Sequence, residues 1–243
     1  MGMSVRQSRK MWVLVAIGGL IALLGLGIRA NFGLFLAPMS ADLGWGREVF
    51  ALAIAIQNLM WGLGQPVADM LADRFGTARV LAIGGLLYGL GIYGMAQASS
   101  PSMLHMTGRV LVGLGMSGAS FSLVLAALGR IVPERQRTLA FGITTAAGSM
   151  GQFLLVPLGQ QFMEAYGWAT ALILLAVIVA LIIPLSTAMR GRAVEVATTA
   201  KQSMGEALRE AGQHSGYLYL TAGFFVCGFH VAFIGTHLPA YIT

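Results

Sequence analysis

Charge is what this chain has least of. Only 10% of its 243 residues are Asp, Glu, Lys or Arg, against about 25% in a soluble domain. Hydrophobic residues make up 57%, and the mean hydropathy is +0.78. So little polar surface cannot cover a globule in water, which excludes a soluble fold. Acidic residues are scarcer than basic ones, nine against fifteen. Cysteine occurs once, as Cys227, which excludes an intrachain disulfide and a cysteine-based metal site. His, Cys and carboxylate residues form no group at metal-ligand spacing, and no nucleophile stands beside a base. Catalytic residues, metal ligands and cofactors are therefore expected to number none, and the chain is not expected to be an enzyme.

What is abundant is apolar sequence in lengths that suit a bilayer. A membrane-crossing helix needs roughly 20 mostly apolar residues. Charge-poor runs of that order are Met11–Ile28, Val49–Ala68, Val80–Gln97, Val110–Gly129, Thr138–Met163, Ala165–Met189 and Ala211–Thr243. They predict an all-α integral membrane protein with seven spans. Residues 1–189 form a six-helix transmembrane bundle, with helices at about 11–36, 49–70, 79–97, 103–129, 138–162 and 168–188. Residues 190–216 are a cytoplasmic linker with a short surface helix over Ser203–Arg209, and 217–243 is helix 7. The basic start followed by an apolar run looks like a secretory signal. The run is long, however, no clear small-residue cleavage site follows it, and six more spans come after, so it reads as an uncleaved first span.

The net charge of +6 raises nucleic acid as a partner until the basic residues are placed. Arg6, Arg9, Lys10, Arg74, Arg79, Arg130, Arg135, Arg137, Arg190, Arg192, Lys201 and Arg209 fall in segments on one side, Arg47 on the other, and Arg29 and Arg109 within or beside spans. This is the positive-inside pattern, which expects a cytoplasmic N-terminus. No nucleic-acid partner is needed, and the lipid bilayer is the expected surrounding. The 33 glycines cluster inside spans ("GGLLYGLGIYG", "GLGMSGAS"), where helices in lipid approach through small residues. A dinucleotide fingerprint lacks its strand–helix setting here. The four tryptophans, Trp12, Trp45, Trp61 and Trp168, mostly lie near span ends, where aromatic belts sit.

Between spans 2 and 3, "LADRFGTARVL" gathers Asp73, Arg74 and Arg79 around Gly76. This segment resembles the loop signature of the major facilitator superfamily, roughly Gly-x-Leu-Ala-Asp-Arg-x-Gly-Arg-Arg. The resemblance assigns Asp73, Arg74, Gly76 and Arg79 to a gating latch at the inward side, with Asp73 and Arg74 pairing with each other and with helix ends. Asp69 stands where the family has its leading glycine, which puts the close helix packing at the latch in question. "RVLVGLG" fits the superfamily pattern Arg-x-x-x-Gly-x-Gly through Arg109, Gly113 and Gly115, and "PERQR" fits the basic loop after helix 4. The Gly-Pro signature of drug antiporters is absent from helix 5. "IRANFGLFLAPMSADLGWGR" and "GFHVAFIGTHLPAY" are similar to the bacterial monocarboxylate-transporter-like and oxalate–formate-antiporter-like branches. The helix 1 signature of the animal monocarboxylate carriers is missing. The resemblance implies a fold of two six-helix halves, each built from inverted three-helix repeats. This chain would supply the first half and the opening helix of the second, as a truncated form or a partial sequence.

Arg29 is the most informative single residue. It lies three positions past the midpoint between Lys10 and Asp42, which bracket the first span. A cation that deep costs at least about 2.5–3.5 kcal/mol, so it faces a cavity or a structural partner. An anionic substrate and a helix–helix pair are both open to it. Arg109 lies nearer a span end and can snorkel. The other polar residues inside spans are Asn31, Gln57, Asn58, Ser117, Ser120, Gln152 and His237. These are either ligand contacts or helix–helix hydrogen bonds. His237 can titrate near neutral pH, whereas His230 reads as core packing. The expectation is a secondary transporter of the bacterial inner membrane that moves a small organic anion by alternating access, coupled to protons. It is expected to work only with its second half. The alternatives are an efflux permease for drugs or sugars and, from another class, a non-transporting sensor or membrane enzyme.

Overall fold

In lipid, apolar burial cannot pull helices together, so close approach depends on small residues at the crossings. The computed structural model describes residues 5–189 and 204–242, and among these every regular element is a helix. The first span is α1 (Val5–Ala30), a 3-10 turn (Phe32–Phe35) and α2 (Leu36–Leu43). The expected single helix over 11–36 is thus interrupted. Pro38, near the start of α2, lacks the N–H that would bond the Leu34 carbonyl, which weakens the α-helical ladder at this point. Helix α3 (Arg47–Phe75) ends at Gly76, whose φ of 92° admits the sharp turn into α4 (Thr77–Ala96).

The fourth span is also broken. It runs as α5 (Pro101–Leu104), a π-helical stretch (His105–Leu111), α6 (Val112–Gly118) and α7 (Phe121–Ile131). Ser120 is extended and restarts the helix, its hydroxyl accepting a hydrogen bond from the Leu123 N–H (3.3 Å). Next come α8 (Glu134–Ala180) and α9 (Ile182–Ala188). Gly167, at φ 78°, divides α8 into two helical limbs. Helix α10 (Met204–Gln213) replaces the shorter surface helix expected over 203–209, and α11 (Ser215–Ile242) closes the chain. Residues 190–203 of the expected linker, with Arg190, Arg192 and Lys201, lie outside the described residues.

By length and apolarity alone, five described segments qualify to cross a membrane: Ser8–Leu43, Thr77–Ala96, Pro101–Ile131, Glu134–Ala188 and Ser215–Gly235. Glu134–Ala188 contains the break at Gly167. Helix α3 has the length, 29 residues, but carries Gln57, Asn58, Gln65, Asp69, Asp73 and Arg74. Gln57 is buried and Asn58, Gln65 and Asp69 are half-buried, so much of this polarity is turned toward protein.

The glycine crossings give the helix directions. Gly18 abuts Val124 and Leu128 while Gly25 abuts Ala119, so the first and fourth spans run antiparallel. Gly19 lies against Ala147, Gly27 against Leu155 and Asn31 against Gly159, so the first span and the first limb of α8 run parallel. Gly84 meets Gly118, Gly115 meets Tyr88 and Gly91 meets Val112, an antiparallel pairing of α4 with α6. Gly113 abuts Met60 and Gly64 abuts Ser117, making α3 and α6 parallel. Gly85 against Ile182 and Gly89 against Ala176 set the last limb antiparallel to α4. The six spans therefore alternate in direction. One end collects Arg9, Lys10, Asp73, Arg74, Arg79, Arg130, Arg135 and Arg137. The other collects Asp42, Arg47, Glu48 and Glu164, and there Trp168 Nε1 donates to Asp42 Oδ2 (2.8 Å). Helix α11 touches this bundle at the 3-10 turn and α2.

Candidate functional site

The last turn of α1 places Arg29 against one face of α3. Asn58 Nδ2 donates to the Ile54 carbonyl (2.9 Å), which turns the amide oxygen outward. Arg29 Nη2 donates to that oxygen at 3.1 Å. Trp61, one turn further along α3, lies beneath the guanidinium, 4.8 Å from ring centroid to Cζ. That is cation–π distance. Trp61 is therefore in mid-helix under Arg29, not at a span end. Behind the pair, the buried Tyr88 donates to the Gly25 carbonyl (3.4 Å) and meets Phe32 edge to face. Among the described residues, no carboxylate forms an ion pair with Arg29. Among the described residues, the Asn58 bond is the one hydrogen bond made by its five N–H donors.

Two cavities open beside the guanidinium. A cavity of about 110 Å³ is lined by Arg29, Gln57, Asn58 and Gln152, with Val231 and Gly235 of α11. Gln57 is 1% exposed; its Nε2 donates to Met116 Sδ (3.3 Å), and its Oε1 has no partner among the described residues. A wider cavity of about 570 Å³ lies between Arg29, Asn58 and Trp61 on one side and Phe225, Phe229, Phe233 and His237 on the other. These four α11 residues recur every fourth position and so share one helix face. His237 lies 5.0 Å from the Phe233 ring. The arrangement can hold an anion by a guanidinium, orient it with amides and shelter an apolar portion. It contains no group positioned for bond-breaking chemistry.

The remaining expected residues separate. Ser120 borders a small crevice with Arg29, Trp61 and Tyr88, but its hydroxyl is engaged by the Leu123 N–H and by Gln65 Nε2 (3.0 Å). Ser117 donates to the Leu114 carbonyl (2.7 Å) and fills the notch at Gly64, away from the cavities. Asn31 is fully buried, donates to the Gly27 carbonyl (2.9 Å) and presses Oδ1 toward Gly159. It serves the contact of the first span with α8 instead of lining a cavity, because it falls on the opposite face of the helix from Arg29. Arg109 lies on the π-helical stretch, its side chain outside what is described. His230 corrects the core-packing expectation: it is exposed, with Nδ1 2.9 Å from the Val226 carbonyl.

At the basic end, Asp73 pairs with Arg130 of α7 and not with Arg74. Arg74 lies over the Phe75 ring at 5.3 Å, and Arg79 is exposed. Asp69 Oδ1 accepts from Gln65 Nε2 (3.2 Å). Gln65 thus links Asp69 to Ser120 at the break in the fourth span. Sequence reasoning missed Gln65, Trp61, Tyr88 and the Phe225–Phe229–Phe233 row. The helical spacing of Gln57, Trp61 and Gln65 was the available signal.

The Major Facilitator Superfamily family model matches residues 11–243. Monocarboxylate transporter 11 of Mus musculus is 30% identical over 190 residues, covering 74% of this chain and 40% of that protein. Monocarboxylate transporter 3 of Mus musculus is 32% identical over 160 residues, covering 65% and 32%. The chain thus spans less than half the length of these relatives. Among solved structures, a peptide transporter POT in complex with sulfate superposes with a TM-score of 0.62 at 20% identity, over 93% of this chain and 46% of that one. The inward-open xylose transporter XylE from E. coli gives 0.60 at 17%, over 94% and 56%.

Proposed function

The chain belongs to the major facilitator superfamily, and from that premise we propose that it recognises a small organic anion, such as a monocarboxylate, at Arg29. In this reading the anion crosses the bacterial inner membrane by alternating access, coupled to protons, with the N-terminus in the cytoplasm. A second six-helix half completes the cavity. The observation that carries the reading is a guanidinium inside a membrane span that borders two cavities and has no carboxylate paired with it among the described residues. An uncompensated cation at that depth is costly, and a carboxylate ligand matches its paired donors. The printed names of the relatives point to the same substrate class. The basic end supports the orientation through the positive-inside rule.

Uptake into proteoliposomes by the full chain, screened with lactate, pyruvate, oxalate and sugars, tests the reading. Arg29→Gln abolishes anion uptake with abundance retained, and Arg29→Lys weakens it because lysine offers a point charge in place of a planar fork. The loss corresponds to about 1.5–3 kcal/mol, or roughly ten- to a hundredfold in affinity. Unchanged affinity in Arg29→Gln moves recognition elsewhere. Orientation is checked on a Cys227-free background with an impermeant thiol reagent. Arg135→Cys reacts from the cytoplasm and Ser102→Cys from outside; the reverse inverts the topology.

A further inference from the structure

At the basic end, away from the cavities around Arg29, a crevice of about 450 Å³ opens between α1 and α9. Arg9 and Lys10 stand at its mouth, Val13, Leu14 and Ile17 form its floor, and Ala188 of α9 lines it too. Both basic side chains are exposed, and neither forms an ion pair with a described carboxylate. Asp73, at the same end, is engaged by Arg130. Val13 is half exposed on the floor. From Lys10 to Ile17 the helix rises about 10 Å, so the crevice passes from paired cations to hydrocarbon over about the depth of a lipid headgroup and its first methylenes. Trp12, beside Lys10, stands at the level where aromatic side chains mark the membrane–water boundary.

We propose that this crevice is a binding site for an anionic phospholipid, its phosphate held by Arg9 and Lys10 and an acyl chain laid along Val13, Leu14 and Ile17. The arginine fork suits the two oxygens of a phosphodiester, and the lysine adds a second positive charge. A small free anion would satisfy the mouth and leave the apolar floor without a partner. A zwitterionic lipid would bring its own ammonium group to a mouth that already holds two cations and no described counter-charge. Basic recesses between membrane helices on the cytoplasmic side are suited to such headgroups.

The test is native mass spectrometry of the full chain in nonionic detergent, titrated separately with dioleoyl phosphatidylglycerol, dioleoyl phosphatidylcholine and inorganic phosphate. One phosphatidylglycerol adduct forms at much lower concentration than any phosphatidylcholine adduct. Arg9→Gln with Lys10→Gln weakens it about twenty- to thirtyfold, the factor expected from two interfacial charges, whereas Arg9→Lys with Lys10→Arg retains it. Val13→Trp, which fills the floor and keeps both charges, also removes the adduct. Arg135→Gln, at the same end but off the crevice, leaves it unchanged. Equal loss in Arg135→Gln and Arg9→Gln would reduce the effect to the general charge of that end and overturn the site. Retention of the adduct in Val13→Trp, or its displacement by inorganic phosphate, would overturn the lipid assignment.

Discussion

The six-span bundle and α11 have the same kind of composition and opposite surroundings. In the bundle, glycines are points of contact: a Cβ on Gly84 would fall on the backbone of Gly118 and Ala119, and one on Gly115 on the backbone of Tyr88. On α11, Gly223, Gly228 and Gly235 have nothing within 4 Å of where a Cβ would stand. Tyr88, Leu81 and Ile92 are enclosed, while Phe224, Phe225 and Phe229 are more than half exposed. Apolar sequence therefore says that a helix belongs in lipid, whereas the surroundings of its glycines say whether it has found its neighbours. The bundle has found its neighbours; among the described residues α11 packs on the bundle mainly at the 3-10 turn and α2 and borders open cavities elsewhere.

The sharpest way to break this contrast is Gly84→Val. Backbone atoms oppose the new side chain, so the cost reaches or exceeds the upper end of the usual overpacking range, about 3 kcal/mol. Little monodisperse protein survives detergent extraction, and what survives melts many degrees lower. A normal melting profile would mean that the α4–α6 crossing is looser than described.

The Asp73–Arg130 pair should behave differently, because both side chains are partly in solvent. Exposed ion pairs contribute about 0–1 kcal/mol, so Asp73→Asn shifts the melting temperature slightly. Its main effect is slower transport by the full chain at unchanged abundance, read as initial uptake rates. Wild-type rates would remove the pair from gating. Asp69→Gly, which restores the glycine of the family pattern and frees Gln65 from one of its two acceptors, preserves or raises activity. A collapse of activity would instead make Asp69 a working part of the latch.

The smallest effect belongs to α11. Gly223→Ala costs the 243-residue chain no stability and adds at most the helix-propensity difference of about 1 kcal/mol, measured by thermal unfolding in detergent. A fall of several degrees would place a packed neighbour on the face that is open here and erase the contrast with the bundle.

These outcomes follow how information is distributed along the chain. Local chemistry made several features legible early. The run lengths mark apolar helices, Gly76 marks the turn before α4, and an arginine in mid-span marks a group that must face something polar. Breaks were harder to read. The interruption at Phe32–Phe35 stands just before Pro38, a residue visible in the sequence, but hydropathy averages pass over it. Likewise, the polar face of α3 lowers its hydropathy below that of the other spans, although the helix is long enough to cross.

By itself the sequence determined the solvent, the helices, the basic end and the resemblance that the family match bears out, because each depends on residue type and near-neighbour spacing. Only the tertiary structure decided partners. Asp73 could have paired with Arg74 beside it; the helix directions bring it to Arg130, 57 positions away. Asn31 and Arg29 are two residues apart, and the helical turn of about 100° per residue sends one into the contact with α8 and the other toward a cavity. Trp61 reads as a belt residue until α1 lays a guanidinium over it. Periodicity tells which face a side chain occupies. What stands opposite that face is set by how whole helices cross, and that depends on distant glycines meeting.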